Sequence, residues 1–139
     1  MRDSIRKRIG RMSALILELK QGESMILNGA VIRFKTRTRI ELNSQARFLF
    51  GKQIMPEEQA VSRAQKLYYA LQQAYIGDET ARPAALLRAH ALIVECQRNS
   101  DPSQAELFER LQRGLAGGAG FETLKLARQL IREEGAAES

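Results

Sequence analysis

The chain has little of what most catalytic chemistry requires. One histidine, His90, and one cysteine, Cys96, stand among 139 residues, and tryptophan is absent. A lone cysteine excludes a disulfide framework and any metal cluster built on several thiolates. A lone histidine between Ala89 and Ala91 has no acid–base partner in the pattern, so a packing or surface role suits it. Cys96 reads as a buried, inert thiol. No apolar run approaches the roughly 18 residues of a membrane span. The basic start "MRDSIRKRIGRM" leads into "SALILEL", which Glu18 cuts short, and no small-residue cleavage site follows. The glycine-rich "GLAGGAG" lacks the Lys-Ser or Lys-Thr of a phosphate loop and follows a helical pattern, so it reads as a flexible linker. Glu57-Glu58 resembles a paired carboxylate, but a helix start accounts for it. These absences point to a non-enzymatic protein with no cofactor or metal, in a reducing cytoplasm.

What the chain does have is positive charge, unevenly placed. Residues 1–55 carry 12 Lys or Arg against 4 acids, a net of +8; residues 56–139 carry 10 against 12, a net of −2. A basic half beside a slightly acidic half suits a polyanion-facing module joined to something else. A solvated surface is the plainer reading. About 44% of the residues are apolar, enough for a core without disulfides or metals.

The two halves also differ in period. From 14 to 55, short apolar runs alternate with turn signals: "ALILEL" and "SMILN" flank "KQGE", Asn28-Gly29 opens "NGAVIRF", and "TRTRIELN" and "ARFLFGKQI" follow. In "TRTRIELN", Thr36, Thr38, Ile40 and Leu42 share one face, and Arg37, Arg39, Glu41 and Asn43 the other. This predicts about five antiparallel strands, a small sheet or barrel. After Pro56 the period becomes helical. One helix is expected from Pro56-Glu57-Glu58, with Val61, Ala64, Leu67, Tyr68, Leu71 and Tyr75 inward and Gly77 as its stop. A second covers about Pro83–Arg98, with Leu86, Leu87, Ala89, Leu92, Ile93 and Cys96 on its apolar face. A third is capped by Ser103 with Glu106 in capping-box position. A fourth starts at Phe121, with Leu124, Leu126, Ala127, Leu130 and Ile131 inward. The expected fold is α+β: a basic extension at 1–13, a β module at 14–55 and a helical segment of about four helices at 56–139.

The cations of the β module are Arg33, Lys35, Arg37, Arg39, Arg47 and Lys52, interleaved with Phe34, Phe48 and Phe50. Were one strand to run unbroken through Arg33, Lys35, Arg37 and Arg39, they would form a row about 6.8 Å apart, matched to a phosphate chain. The phenylalanines would then be free to stack on unpaired bases. In the alternative, the cations are an ordinary wet face and the phenylalanines are core. Of the tyrosines, Tyr68 and Tyr75 read as core and Tyr69 as an aromatic anchor for a protein partner.

"LELKQGESMILNGAVI", "NSQARFLFGKQIM", "PEEQAVSRAQKLYYALQQAYIGD" and "ETLKLARQLI", in this order over about residues 14–133, resemble the FlbT family of flagellin-expression regulators. That resemblance implies a post-transcriptional regulator that binds the 5′ untranslated region of flagellin mRNA and lowers its translation or stability, with FlaF as a partner in the same circuit. Family members commonly carry Pro, a basic residue and an acid across "RFLFGKQ", where this chain has Arg47, Phe50 and Gly51; Lys52 matches. "LILELKQGESMI" with "LNSQARFLFGKQI" is also similar to the carbon storage regulator CsrA, a small β protein that docks on mRNA leaders. By position, that similarity implies RNA contacts from Leu17 and Lys20 on the first strand and from Lys52 later. An arginine that CsrA uses on its first strand falls on Leu19 here. Residues 1–13 stand either as a phosphate-binding arm or as an over-extended start. The rival reading is a protein-interaction module, or a chaperone-like factor, that binds flagellin or FlaF and affects mRNA indirectly.

Overall fold

The computed structural model describes residues 5–7, 15–42 and 47–138. It separates into two compact units, Met1–Ile54 and Met55–Ser139. Strands precede helices throughout, so the fold is α+β.

The first unit holds six strands: β1 (Ile5–Lys7), β2 (Leu15–Leu19), β3 (Ser24–Leu27), β4 (Ala30–Arg33), β5 (Thr38–Leu42) and β6 (Phe48–Phe50). The five read from sequence are all present, and β1 is an addition from within the basic opening. They form two three-stranded antiparallel sheets, ordered β1-β2-β5 and β4-β3-β6. Asn28 and Gly29 take φ of +50° and +89°, the left-handed pair that a tight hairpin between β3 and β4 requires. Alternation sets the inner faces. Leu17 and Leu19 of one sheet and Met25 and Phe50 of the other are buried together, with Leu15, Leu27, Ile32, Phe34, Ile40, Leu42 and Phe48 packed half-buried against them. Each fully buried side chain of this size contributes about 1.5–3 kcal/mol.

The second unit holds α1 (Arg63–Ile76), α2 (Arg82–Arg98), α3 (Ala105–Ala116) and α4 (Phe121–Glu138). The first helix begins later than Pro56. Pro56 precedes a single 3₁₀ turn at Glu57–Gln59, and α1 starts behind Ser62, whose hydroxyl accepts from Gln65 N at 3.1 Å. Gln65 Oε1 accepts in return from Ser62 N at 2.9 Å. This reciprocal cap satisfies two orphan donors at once, which Pro56 with two glutamates does not. Val61 therefore falls outside the helix and is exposed. The third helix also starts differently: Asp101, not Ser103, accepts from the backbone, at Ser103 N. Leu87 points to solvent, off the buried face of α2.

Leu67, Tyr68, Leu71, Ile93, Phe108, Leu111 and Leu124 are almost wholly buried between the four helices. The glycine-rich stretch after α3 is a bonded turn and not a loose linker. Gly117 N reaches Arg113 O, Ala119 N reaches Gly114 O, and Arg82 donates to the carbonyls of Ala74 and Gly118. The buried carboxamide of Gln72 clasps Met55, accepting from its N–H at 2.8 Å and donating to its carbonyl at 3.0 Å.

Candidate nucleic-acid interface

Two connections meet at one end of the sheet unit. The turn 20–23 joins β2 to β3, and the bend 34–37 joins β4 to β5. Gly22 N donates to Phe34 O at 2.7 Å and Phe34 N donates to Glu23 O at 3.0 Å, which ties them together. Gly22, at φ +88°, turns the chain. Glu23 braces the turn through Oε1, which accepts from Lys20 N at 2.7 Å.

This arrangement breaks the expected row of cations. β4 ends at Arg33 and β5 starts at Thr38, so Lys35 and Arg37 lie in the bend between them. Arg33 belongs to the sheet β4-β3-β6 and Arg39 to the sheet β1-β2-β5. Both are exposed, on the outward faces of sheets whose inner faces share one core, so they do not line one face of one strand. The chain turns the corner between the sheets at 34–37, and no run of alternating residues survives a corner.

What forms instead is a cluster at the end. Lys20, Arg33, Lys35 and Arg37 are exposed around the two tied connections, and Arg39 enters β5 one residue beyond Thr38, the partner of Leu19. Among the described residues of this unit, no carboxylate lies within 4.0 Å of Lys20, Arg33, Lys35 or Arg37, whereas Arg39 sits 4.0 Å from Glu18 across the strand pair. Lys52 follows β6 beside Gly51, and an added Cβ at Gly51 would come within 2.7 Å of Glu23 Oε2; Lys52 thus lies near the same end. Arg47 lies at the opposite end, where its N–H reaches Asn28 Oδ1 at 3.2 Å and its carbonyl accepts from Asn28 N.

Two expected contributions fail on geometry. Leu17 is fully buried in the sheet core, so its side chain packs and presents nothing outward. Leu19 is fully buried as well, so the position where CsrA carries an arginine points inward here. Phe48 and Phe50 are core: Phe50 is buried, and the Phe48 ring lies over it at 6.4 Å between centroids. Free aromatic platforms for bases are therefore not offered by Phe48 or Phe50. Burial next to the sheet core outweighs the polar spacing that made them look available.

In the helical unit, Tyr68 is buried and Tyr75 packs on Phe121 with 6.2 Å between centroids, as their spacing indicates. Arg128 donates to Tyr68 Oη at 2.9 Å and lies 4.8 Å from the ring centroid. Tyr69 is half-buried; burial first, then the carboxylates of Glu57 and Glu58, hold its hydroxyl above the usual tyrosine range. Cys96 is buried, and its thiol is pushed up to about 11 by burial, with Glu134 and Glu95 adding to the effect and Arg63 opposing it. His90 is exposed. A hollow of about 700 Å³ beside Cys96 is lined by Arg63, Phe108, Glu133 and Glu134 among others. Arg63 already pairs with Glu95 at 3.0 Å, and Glu133 accepts from Gln104 and Gln129, which lowers its carboxyl below the usual range. Among the described residues, no group of three or more His, Cys, Asp or Glu side chains is placed to hold a metal ion, and no helix is long and apolar enough to cross a membrane.

Probable flagellum biosynthesis repressor proteins FlbT from Agrobacterium fabrum and Rhizobium johnstonii are each 29% identical over 124 residues, covering 88% of this chain and 82% of theirs. That from Brucella anthropi is 29% identical over 120 residues, covering 83% and 76%. No solved structure matches the chain. The family described as "Flagellar protein FlbT" matches residues 15–137, most of the chain. This chain belongs to the FlbT family.

Proposed function

We propose that this protein restrains flagellin synthesis in the cytoplasm by binding the 5′ untranslated region of flagellin mRNA and lowering its translation or lifetime. The flagellar part is supported by relatives named as probable repressors of flagellum biosynthesis. The RNA part is carried by one observation: Lys20, Arg33, Lys35 and Arg37 gather around two tied connections with no carboxylate of the unit's described residues in range. Cations left unpaired together favour an extended polyanion, and Arg39 and Lys52 extend the same end. The role is binding, with no catalytic step.

Selectivity then comes from hydrogen bonds to exposed base edges in loops or single strands, since Phe48 and Phe50 serve the core. With about five phosphates neutralised, the logarithm of affinity should fall against the logarithm of salt with a slope near −3.5. Fluorescence anisotropy of a labelled leader RNA across a salt series measures it. A flat line defeats the proposal.

A specific feature favours a second reading. On α2, Pro83, Leu87 and Ala91 are exposed at spacings of four, with Leu87 74% exposed. Such a stripe suits a protein partner, FlaF or flagellin, in which case the effect on mRNA is indirect and Tyr69 is a candidate anchor. Pull-down of the purified protein with leader RNA, against the same assay with FlaF or flagellin, separates the two.

A further inference from the structure

The cationic end of the sheet unit contains a hollow of about 300 Å³ lined by Gln21, Gly22, Arg33, Phe34 and Lys35. Its walls come from both connections, and the Gly22–Phe34 and Phe34–Glu23 hydrogen bonds hold those walls in register. Phe34 is half-buried: it packs against the sheet core and also lines the hollow, giving it an apolar floor. Arg33 and Lys35 flank Phe34 and are exposed. Arg33 closes β4 and Lys35 stands in the bend that follows, so the two cations reach the rim of the hollow from either side of the corner. At Gly22 a Cβ would meet nothing within 4 Å, so the backbone there is open to an incoming group.

We infer that this hollow seats one nucleotide of single-stranded RNA. Its base rests against Phe34 and the Gly22 backbone, and its two flanking phosphates lie on Arg33 and Lys35. The inference rests on the RNA-binding reading above and gives that reading a place. Two cations on the rim of one hollow, either side of its apolar floor, suit a phosphodiester chain that passes over a seated base. An apolar floor accepts a base only once it has left its stack, so a duplex is excluded. The Gln21 carboxamide, on the rim, both donates and accepts, and so can distinguish one base edge from another.

The test uses the full chain with ten-nucleotide oligouridine, oligoadenosine and the duplex of the two. Single strands should bind at least ten times more tightly than the duplex. The double variant Arg33→Ala/Lys35→Ala should lose about tenfold in affinity at low salt, and its salt slope should become shallower by about 1.4, two phosphates at about 0.7 each. Arg33→Lys should keep the slope, and Lys66→Ala/Lys125→Ala on the helices should behave as wild type. Gln21→Ala should leave the slope unchanged and narrow any difference between the two homopolymers. An oligomer carrying 5-iodouridine should crosslink to the peptide containing Phe34. Unfolding midpoints matching wild type show that the variants fold. If wild type binds none of these nucleic acids, the RNA reading fails and this seat with it. If wild type binds with the expected slope but the double variant is unchanged and the crosslink falls elsewhere, only the seat is overturned.

Discussion

In the helical unit, Arg63 meets Glu95 at 3.0 Å, Lys125 meets Glu122 at 3.5 Å and Arg113 meets Glu109 at 4.0 Å. In the sheet unit, Arg39 and Glu18 stand at 4.0 Å, while Lys20, Arg33, Lys35 and Arg37 have no carboxylate in that range among the unit's described residues. The cores differ in the same direction. The helices wholly bury large residues such as Tyr68, Phe108 and Leu124, whereas much of the sheet's apolar set is only half-buried around Leu17, Leu19, Met25 and Phe50. The helical unit thus pairs three of its cations with its own carboxylates, and the sheet unit one. The sheet unit is smaller and less fully packed, and it carries the chain's excess of positive charge.

Four experiments would break or sharpen that contrast. Phe108→Ala should cost about 3–5 kcal/mol and Leu17→Ala about 2–5 kcal/mol, each by opening a cavity. Urea titration followed by helical circular dichroism and by amide exchange in the strands would show whether each change moves its own unit. A single shared transition would erase the distinction in packing. Gly51→Ala comes next: φ is +58° and the new Cβ would press on Glu23 Oε2, whose partner oxygen holds Lys20 N. The loss should exceed about 1 kcal/mol, read as a lower urea midpoint with its slope preserved.

Cys96 probes the helical interior. Folding holds its thiol protonated to about 11, against an ordinary value of 9.0, so the stability it carries is complete below 9 and declines as pH rises toward 11. Stability measured across that window should fall more steeply for wild type than for Cys96→Ala. Equal slopes would mean that the thiol is not shielded. The smallest effect belongs to Glu18 and Arg39, both exposed; a double-mutant cycle should give a coupling under about 1 kcal/mol. A larger value would mean that the sheet unit does neutralise its own cations.

Much of the architecture could be read in advance, because strands and helices announce themselves locally. Asn28-Gly29, the alternation from Thr38 to Leu42 and the helical spacing from Leu67 to Tyr75 each specify neighbours a few residues away. The failures were all non-local or were contests between two local signals. Ser62 with Gln65 outcompeted Pro56 with its glutamates as the start of α1, and the sequence contained both. Ile5–Lys7 became a strand only by pairing with β2 across residues that separate them. The row of cations depended on a strand continuing through "KTRT", which has no glycine or proline to warn of a bend. The bend is set by Phe34 bonding back to Gly22 and Glu23, and no local pattern displays that partnership. The candidate interface was therefore legible in its residue types and not in its shape.

Gln72 shows how much one carboxamide can specify. By serving both backbone groups of Met55 it behaves as a neighbouring strand would, although it projects from a helix. A carboxylate there would answer only the N–H, and an ammonium only the carbonyl. Substitution at this site is accordingly confined to groups of mixed polarity and similar reach, and a relative with another side chain must fasten the entry to its first helix by different means.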